Sequence, residues 1–241
     1  VSELVFVRHG QASFGAESYD KLSELGIRQI EILAEHWRSI GEYFDHIYSG
    51  ELLRQVETAN GLLALVQVER GKERPAQALV HRGFNEYNGS PLIDIYLRDH
   101  AAQVGIGAGM QSPINDRKLF QQVFEAATAK WISDQLRPTE LDVEFETWGE
   151  FQRRVHAAMD ELMQRHNNGS KVLISTSGGV IALALQRVMK LPDSQAIAVN
   201  WMVNNSSVTR IRYGGGRASL SLFNGLSHLE KPQYRELITF R

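Results

Sequence analysis

Leu4-Val5-Phe6-Val7-Arg8-His9-Gly10 is an apolar run that stops abruptly at an arginine, a histidine and a glycine. Residues 4–7 show no polar alternation, which predicts a strand buried on both faces, the pattern of a central strand in a parallel sheet. In open α/β sheets ligands bind just beyond the carboxyl ends of such strands, and Arg8, His9 and Gly10 fall there. These residue types suit phosphoryl chemistry. An unprotonated imidazole nitrogen attacks phosphorus, a guanidinium forks onto phosphate oxygens, and a glycine lets the backbone come close. Taken alone, the three residues also read as the start of an ordinary loop.

Outward from this strand the chain alternates. Ile27, Ile30, Leu33, Ala34, Trp37 and Ile40 recur at helical spacing after Gly26, which predicts an amphipathic helix covering one face of a sheet. His46 to Tyr48 reads as a second strand. Ser49 and Gly50 turn the chain into a helix bearing Leu52, Leu53, Val56, Ala59 and Leu63, and a short strand is expected around Leu79 and Val80. This βαβα order predicts parallel strands. Val172 to Ser175 is a second buried-strand run, followed by an apolar helix over Val180 to Met189. Ser207 to Tyr213 and Ala218 to Phe223, joined by Gly214, Gly215 and Gly216, read as an edge hairpin.

The stretch from about 90 to 147 breaks the alternation with a glycine cluster at Gly105, Gly107 and Gly109 and a helical segment carrying Leu119, Val123, Phe124, Ala127 and Trp131. We read it as a helical insertion capping the site, with a packing embellishment as the plain alternative. Thr147 and Glu150 have the spacing of a capping box that opens the next helix. The expected fold is a three-layer α/β/α sandwich around a mostly parallel sheet, in one domain spanning 1–241.

The 26 basic and 28 acidic residues among 241 give a net charge of −2, which provides no general attraction to nucleic acid or to an anionic membrane. With no cysteine, disulfides, thiolate metal sites and cysteine nucleophiles are excluded. No apolar segment reaches membrane-spanning length and no signal-peptide pattern opens the chain, so a cytoplasmic protein is the expectation. No metal-ligand spacing and no nucleotide-binding loop is present, so neither metal nor cofactor is expected.

Beyond the first strand come QASFGAESYDKLSELGIRQ, then SGELLRQVETA with Leu52, Arg54, Thr58 and Ala59, FNEYNG around Glu86, and VLIS leading into TSGGVIALAL. In this order and spacing, from Leu4 to about Phe223, the chain resembles the histidine phosphatase superfamily, the phosphoglycerate-mutase-like fold. The resemblance implies that His9 is the residue phosphorylated, that Arg8 and Arg54 bind the transferred phosphoryl group, and that Glu86 is the proton donor. Two departures stand out. Ser177 precedes Gly178 and Gly179 where the family motif has a second histidine that helps hold the phosphoryl group. Gly15 stands where many relatives place a phosphate-contacting asparagine, a role that Gln11 or Ser13 could fill.

At the strand-to-helix junction, Ser177 and Gly178 still provide a helix N-terminus for an anion. A serine donates a hydrogen bond without positive charge. Losing a charged hydrogen bond of about 1.5 to 3 kcal/mol slows turnover roughly ten- to a hundredfold. His81, His156, His166 and His228 are candidate substitutes for the second histidine, each also readable as an ordinary surface or packing residue. Ser177 as a hydrolase nucleophile is disfavoured because no G-x-S-x-G elbow surrounds it. The expected function is a metal-independent phosphomonoester hydrolase acting on a small phosphoester through phosphorylated His9. The alternatives are a non-catalytic phospholigand binder and, last, a phosphotransferase of the mutase type. Arg98, His100, Arg117 and Lys118 in the insertion meet either a second anionic group or water. Oligomeric state is not readable from the sequence.

Overall fold

Strand β1, Ser2–Arg8, forms where the sequence is uninterruptedly apolar, and Leu4, Val5, Phe6 and Val7 are all fully buried. In this computed structural model, which describes residues 1–13, 20–68, 73–101, 114 and 116–240, the chain continues through α1 (Glu24–Ser39), β2 (His46–Ser49), α2 (Leu53–Gly61) and β3 (Leu79–Val80). It then runs through α3 (Gly89–His100), α4 (Arg117–Ile132), α5 (Trp148–Arg165), β4 (Lys171–Thr176), α6 (Gly178–Met189), α7 (Asp193–Met202), β5 (Val208–Gly214) and β6 (Arg217–Gly225), followed by 3₁₀ turns at Ser227–Leu229 and Pro232–Leu237. Gly15 and the cluster at Gly105, Gly107 and Gly109 lie outside the described residues.

Among the described residues six strands form one sheet in the order β3-β2-β4-β1-β5-β6. β1, β2, β3 and β4 pair in parallel, with Val5 opposite Leu173 and Ile47 opposite the same leucine. β5 runs antiparallel to β1 and pairs with β6, the two joined by a turn at Gly215 and Gly216 whose φ angles of 56° and 73° suit a two-residue hairpin. The parallel, α-connected half and its antiparallel edge make a mostly parallel α/β sheet.

Because side chains alternate along a strand, β1 faces two helical layers. Val5 and Val7, with Ile47 and Leu173, pack with Ile30, Leu33, Ala34 and Trp37 of α1 and Ala59 of α2. Leu4, Phe6 and Ile174 point to the opposite face. There the Tyr48 hydroxyl lies 3.0 Å from Nε2 of His166, the residue following α5, which places the end of that helix over the sheet. β1 is therefore central, flanked by β4 and β5, and the residues after it emerge between two neighbouring loops.

Contacts divide the chain into two compact units, Val1–Glu86 with Val155–Arg241, and Tyr87–Arg154. The second has its own aromatic core, in which Trp131 lies beside Tyr87, Trp148 and Phe151 and its Nε1 donates to the Glu146 carbonyl at 2.8 Å. Arg98 is engaged inside this unit by Asp142 at 3.0 Å. The capping box forms, with Thr147 N–H donating to Glu150 at 2.8 Å and Glu150 N–H to Thr147 Oγ1 at 3.2 Å.

Two helices go beyond the sequence reading. α3 starts at an Asn88 side chain that accepts from Ser90 N–H, and α7 starts after Pro192. Leu63, expected on α2, lies in a following 3₁₀ turn because the helix ends at Gly61, where glycine propagates it poorly.

Candidate active site

The backbone after β1 is fastened on both sides. His9 N–H donates to the Thr176 carbonyl at 2.9 Å, Arg8 N–H to the Ser207 carbonyl at 3.1 Å, and Ser206 N–H returns to the Arg8 carbonyl at 3.0 Å. The Asn205 amide adds a bond to the His9 carbonyl at 3.1 Å, and Gly10 N–H donates to Thr58 Oγ1 at 3.1 Å. The loop is thus registered against β4, β5 and α2 before any ligand binds.

The His9 ring is buried, with Nδ1 2.7 Å from the Gly10 carbonyl oxygen and Nε2 accepting from Arg54 Nε at 3.2 Å. A carbonyl only accepts, so Nδ1 carries the proton and Nε2 the lone pair. Burial, then the positive charges of Arg54 and Arg8, hold the His9 pKa well below its ordinary 6.5. The neutral ring follows from this environment.

Arg54, in the first turn of α2, also forms an ion pair with Asp20, whose other oxygen accepts from Leu53 N–H at 2.8 Å. Glu57, one turn further along α2, does not pair with Arg54 but accepts from Leu22 N–H at 2.7 Å. The Arg8 guanidinium donates to the Val203 carbonyl. Gln11 and Ser13 brace the loop that follows β1. Ser23 Oγ donates to Gln11 Oε1 at 3.1 Å, and Ser13 Oγ donates to the Leu22 carbonyl at 3.1 Å.

At the other side of β1, Ser177 is the N-cap residue of α6 and Gly178 its first helical residue. Glu86 reaches this helix end, its Oε2 accepting from Gly179 N–H at 2.9 Å. A carboxylate therefore sits at the anion-binding end of α6. A side chain on Gly178 would meet Asn200 Oδ1 of α7 at 2.5 Å, which explains the glycine. Gln55 and Asp20 are site residues that sequence reading missed. Nothing in spacing marks a glutamine whose partners lie far along the chain.

The four other candidate histidines are engaged elsewhere. His81 meets Glu161 at 3.1 Å, His156 the Leu183 carbonyl at 3.1 Å, His166 the Tyr48 hydroxyl, and His228 the Ser206 hydroxyl at 2.9 Å. Among the described residues no group of three or more His, Cys, Asp or Glu side chains is placed to hold a metal ion.

A family model for the histidine phosphatase superfamily (branch 1) matches residues 4–100 and 115–225. The chain belongs to the histidine phosphatase superfamily. Solved structures place its fold among other proteins of this kind. Bacillus stearothermophilus YhfR is 19% identical with a TM-score of 0.66, over 95% of this chain and 100% of its own. A phosphoserine phosphatase from Entamoeba histolytica is 18% identical with a TM-score of 0.61, over 95% of this chain and 100% of its own. A phosphoglycerate mutase from Bacillus anthracis is 23% identical with a TM-score of 0.61, over 94% of each chain. No curated protein sequence matches the chain. As a histidine phosphatase superfamily member, it has serine at position 177, and no helix among the described residues is long and apolar enough to cross a membrane.

Proposed function

We propose that this chain is a phosphomonoester hydrolase that works through a phosphohistidine at His9. Nε2 attacks phosphorus while the ester oxygen leaves, taking a proton from Glu86. Water deprotonated by Glu86 then attacks the phosphohistidine, releasing inorganic phosphate and restoring the neutral ring. Arg8 and Arg54 neutralise the phosphoryl oxygens, with the N–H groups of α6 at Ser177 and Gly178 as further donors. Charge is met by guanidinium and N–H groups, so the reaction proceeds without a metal. Gln11 and Ser13 reach a phosphoryl group only by leaving their loop partners.

The observation that carries this reading is the seating of the His9 ring between the Gly10 carbonyl and Arg54, from which its tautomer follows. Its Nδ1–H is spent on Gly10 and its Nε2 lone pair faces Arg54. A nucleophile at nitrogen needs that arrangement. Serine at 177 favours a second reading, a phospholigand binder that never becomes phosphorylated. The helical unit 87–154 is the segment we assign to substrate choice.

The test is phosphate release from a broad phosphomonoester panel with EDTA present, with His9→Ala purified in parallel. Release by the wild type, none by the variant, and an acid-labile phosphoryl label on the wild type alone are expected. Silence of both proteins, with inorganic phosphate still bound, replaces the hydrolase with the binder.

A further inference from the structure

Gln55 follows Arg54 directly in α2 and its side chain is fully buried. Its amide nitrogen lies 2.9 Å from Ser177 Oγ and 3.3 Å from the Phe84 carbonyl oxygen. A carbonyl oxygen can only accept, so the end of the amide facing Phe84 is the NH₂ group, and that same group donates to Ser177. The serine oxygen is thereby an acceptor towards Gln55, and its own proton is directed elsewhere.

That proton is not used by the fold. Ser177 is the N-cap of α6, yet its side chain accepts from none of that helix's N–H groups, whereas Ser23 at the start of α1 accepts from Gly26 N–H. Among the described residues no acceptor takes the Ser177 proton, while the residue itself is buried to within 2% of full coverage beside the backbone that holds His9. A buried hydroxyl with a fixed acceptor bond and an unspent proton is a directed donor.

We propose that Gln55 is a positioning residue. It locks the Ser177 hydroxyl as a hydrogen-bond donor to the phosphoryl group, and this neutral pair carries the task that a histidine performs at that position of the family motif. The inference rests on the hydrolase reading above and deepens it. It has a chemical consequence: neither an amide nor a serine hydroxyl changes charge across the working pH range, so the Gln55–Ser177 pair itself does not titrate, and Glu86, at the same end of α6, is the titrating group there.

The test is a double-mutant cycle on kcat/KM with p-nitrophenyl phosphate, using Gln55→Met, Ser177→Ala and the two combined, and with orthovanadate inhibition as a second readout. Methionine matches glutamine in length and lacks the donor. The Phe84 carbonyl keeps the Thr176 hydroxyl, which donates to it at 2.6 Å, so the fold retains that bond. Each single change is expected to lower kcat/KM about tenfold and to weaken vanadate inhibition by the same factor, and the double variant to fall no further. A Gln55 that merely props up α2 would lower activity equally in the Ser177→Ala background, and that multiplicative result overturns the inference while leaving His9-dependent turnover intact. If Gln55→Met fails to melt cooperatively, Gln55→Leu takes its place in the cycle. Absence of any His9-dependent turnover in the wild type removes the hydrolase reading, and this inference with it.

Discussion

Arg54 donates through Nε to Nε2 of His9 at 3.2 Å, so the cation expected to bind a phosphoryl group already touches the nitrogen that would attack it. The guanidinium disfavours a proton on that nitrogen and, on the proposed reading, also meets the negative charge of the phosphoryl group.

A pH–rate profile reads the first effect. Burial and the two arginines lower the His9 pKa well below 6.5, so its lone pair is present at and above that pH and is lost only as pH falls through the lowered value. The His9-dependent limb of kcat/KM is therefore expected on the acid side of 6.5. Arg54→Gln should cut kcat/KM by about ten- to a hundredfold and move this limb to higher pH. A limb that stays in place would mean Arg54 does not set the His9 charge state.

On the proposed reading, Asp20 competes with a phosphate ligand for Arg54. Asp20→Asn keeps an acceptor for Leu53 N–H while removing the negative charge paired with the guanidinium. The partly exposed pair is a weak one, so inorganic phosphate should bind about two- to threefold more tightly in calorimetric titration. Weaker binding would show that Asp20 chiefly orients Arg54.

Restoring a histidine at 177 should not by itself speed turnover. Gln55 Nε2 stands 2.9 Å from the serine oxygen, and an imidazole extends well past that point. Ser177→His alone is expected to lower activity and stability through crowding, by about 1 to 3 kcal/mol in urea unfolding. Combining it with Gln55→Ala opens the space and should recover activity above the single variant.

The buried His228 predicts acid lability. Burial, with a contribution from His36, lowers its pKa from 6.5 to about 4. The unfolded chain therefore takes up the proton first. This stabilisation is complete above 6.5, is lost as pH falls towards about 4, and changes no further below that. At about 1.4 kcal/mol per unit the loss is about 3 kcal/mol. Urea unfolding from pH 7 to 4 should follow that slope, and His228→Gln should flatten it. His9, His156 and His166, shifted in the same direction, leave a residual slope.

Gly26→Ala tests how the loop after β1 is seated. A side chain there would collide with the backbone of Gln11, and one on Gly10 would meet the Gly26 carbonyl. Overpacking of this kind destabilises by about 1 to 3 kcal/mol, or about 2 to 4 °C of Tm per kcal/mol for a chain of this size. Activity should fall as well, although Gly26 contributes no side chain. A fully active variant would show that the loop relaxes without moving His9.

The architecture was legible because its signals are local. The unbroken apolar run of residues 4–7, the helical spacing after Gly26 and the glycines of the β5–β6 turn each decide their own element. Helix α3 was hidden because its apolar residues open the stretch read as an insertion, in which only the later segment around Leu119 to Trp131 reads as helical, and α7 because its weakly amphipathic pattern resembles a linker. At the site, residue types at motif positions could be read, but the partners they choose could not. That Gln55 takes Ser177, and Asp20 takes Arg54, depends on chain segments brought together only by packing.

The Phe84 carbonyl oxygen accepts from both the Thr176 hydroxyl and the Gln55 amide. One backbone atom thus ties the segment that presents Glu86 to both β4 and α2, much as a rivet joins three plates. Glu86 is held near the end of a short tether and cannot retreat independently of the residues around His9. On the proposed reading, a bulkier leaving alcohol is then accommodated by displacement elsewhere, so that chemical competence and substrate breadth become separable traits that can be altered one at a time.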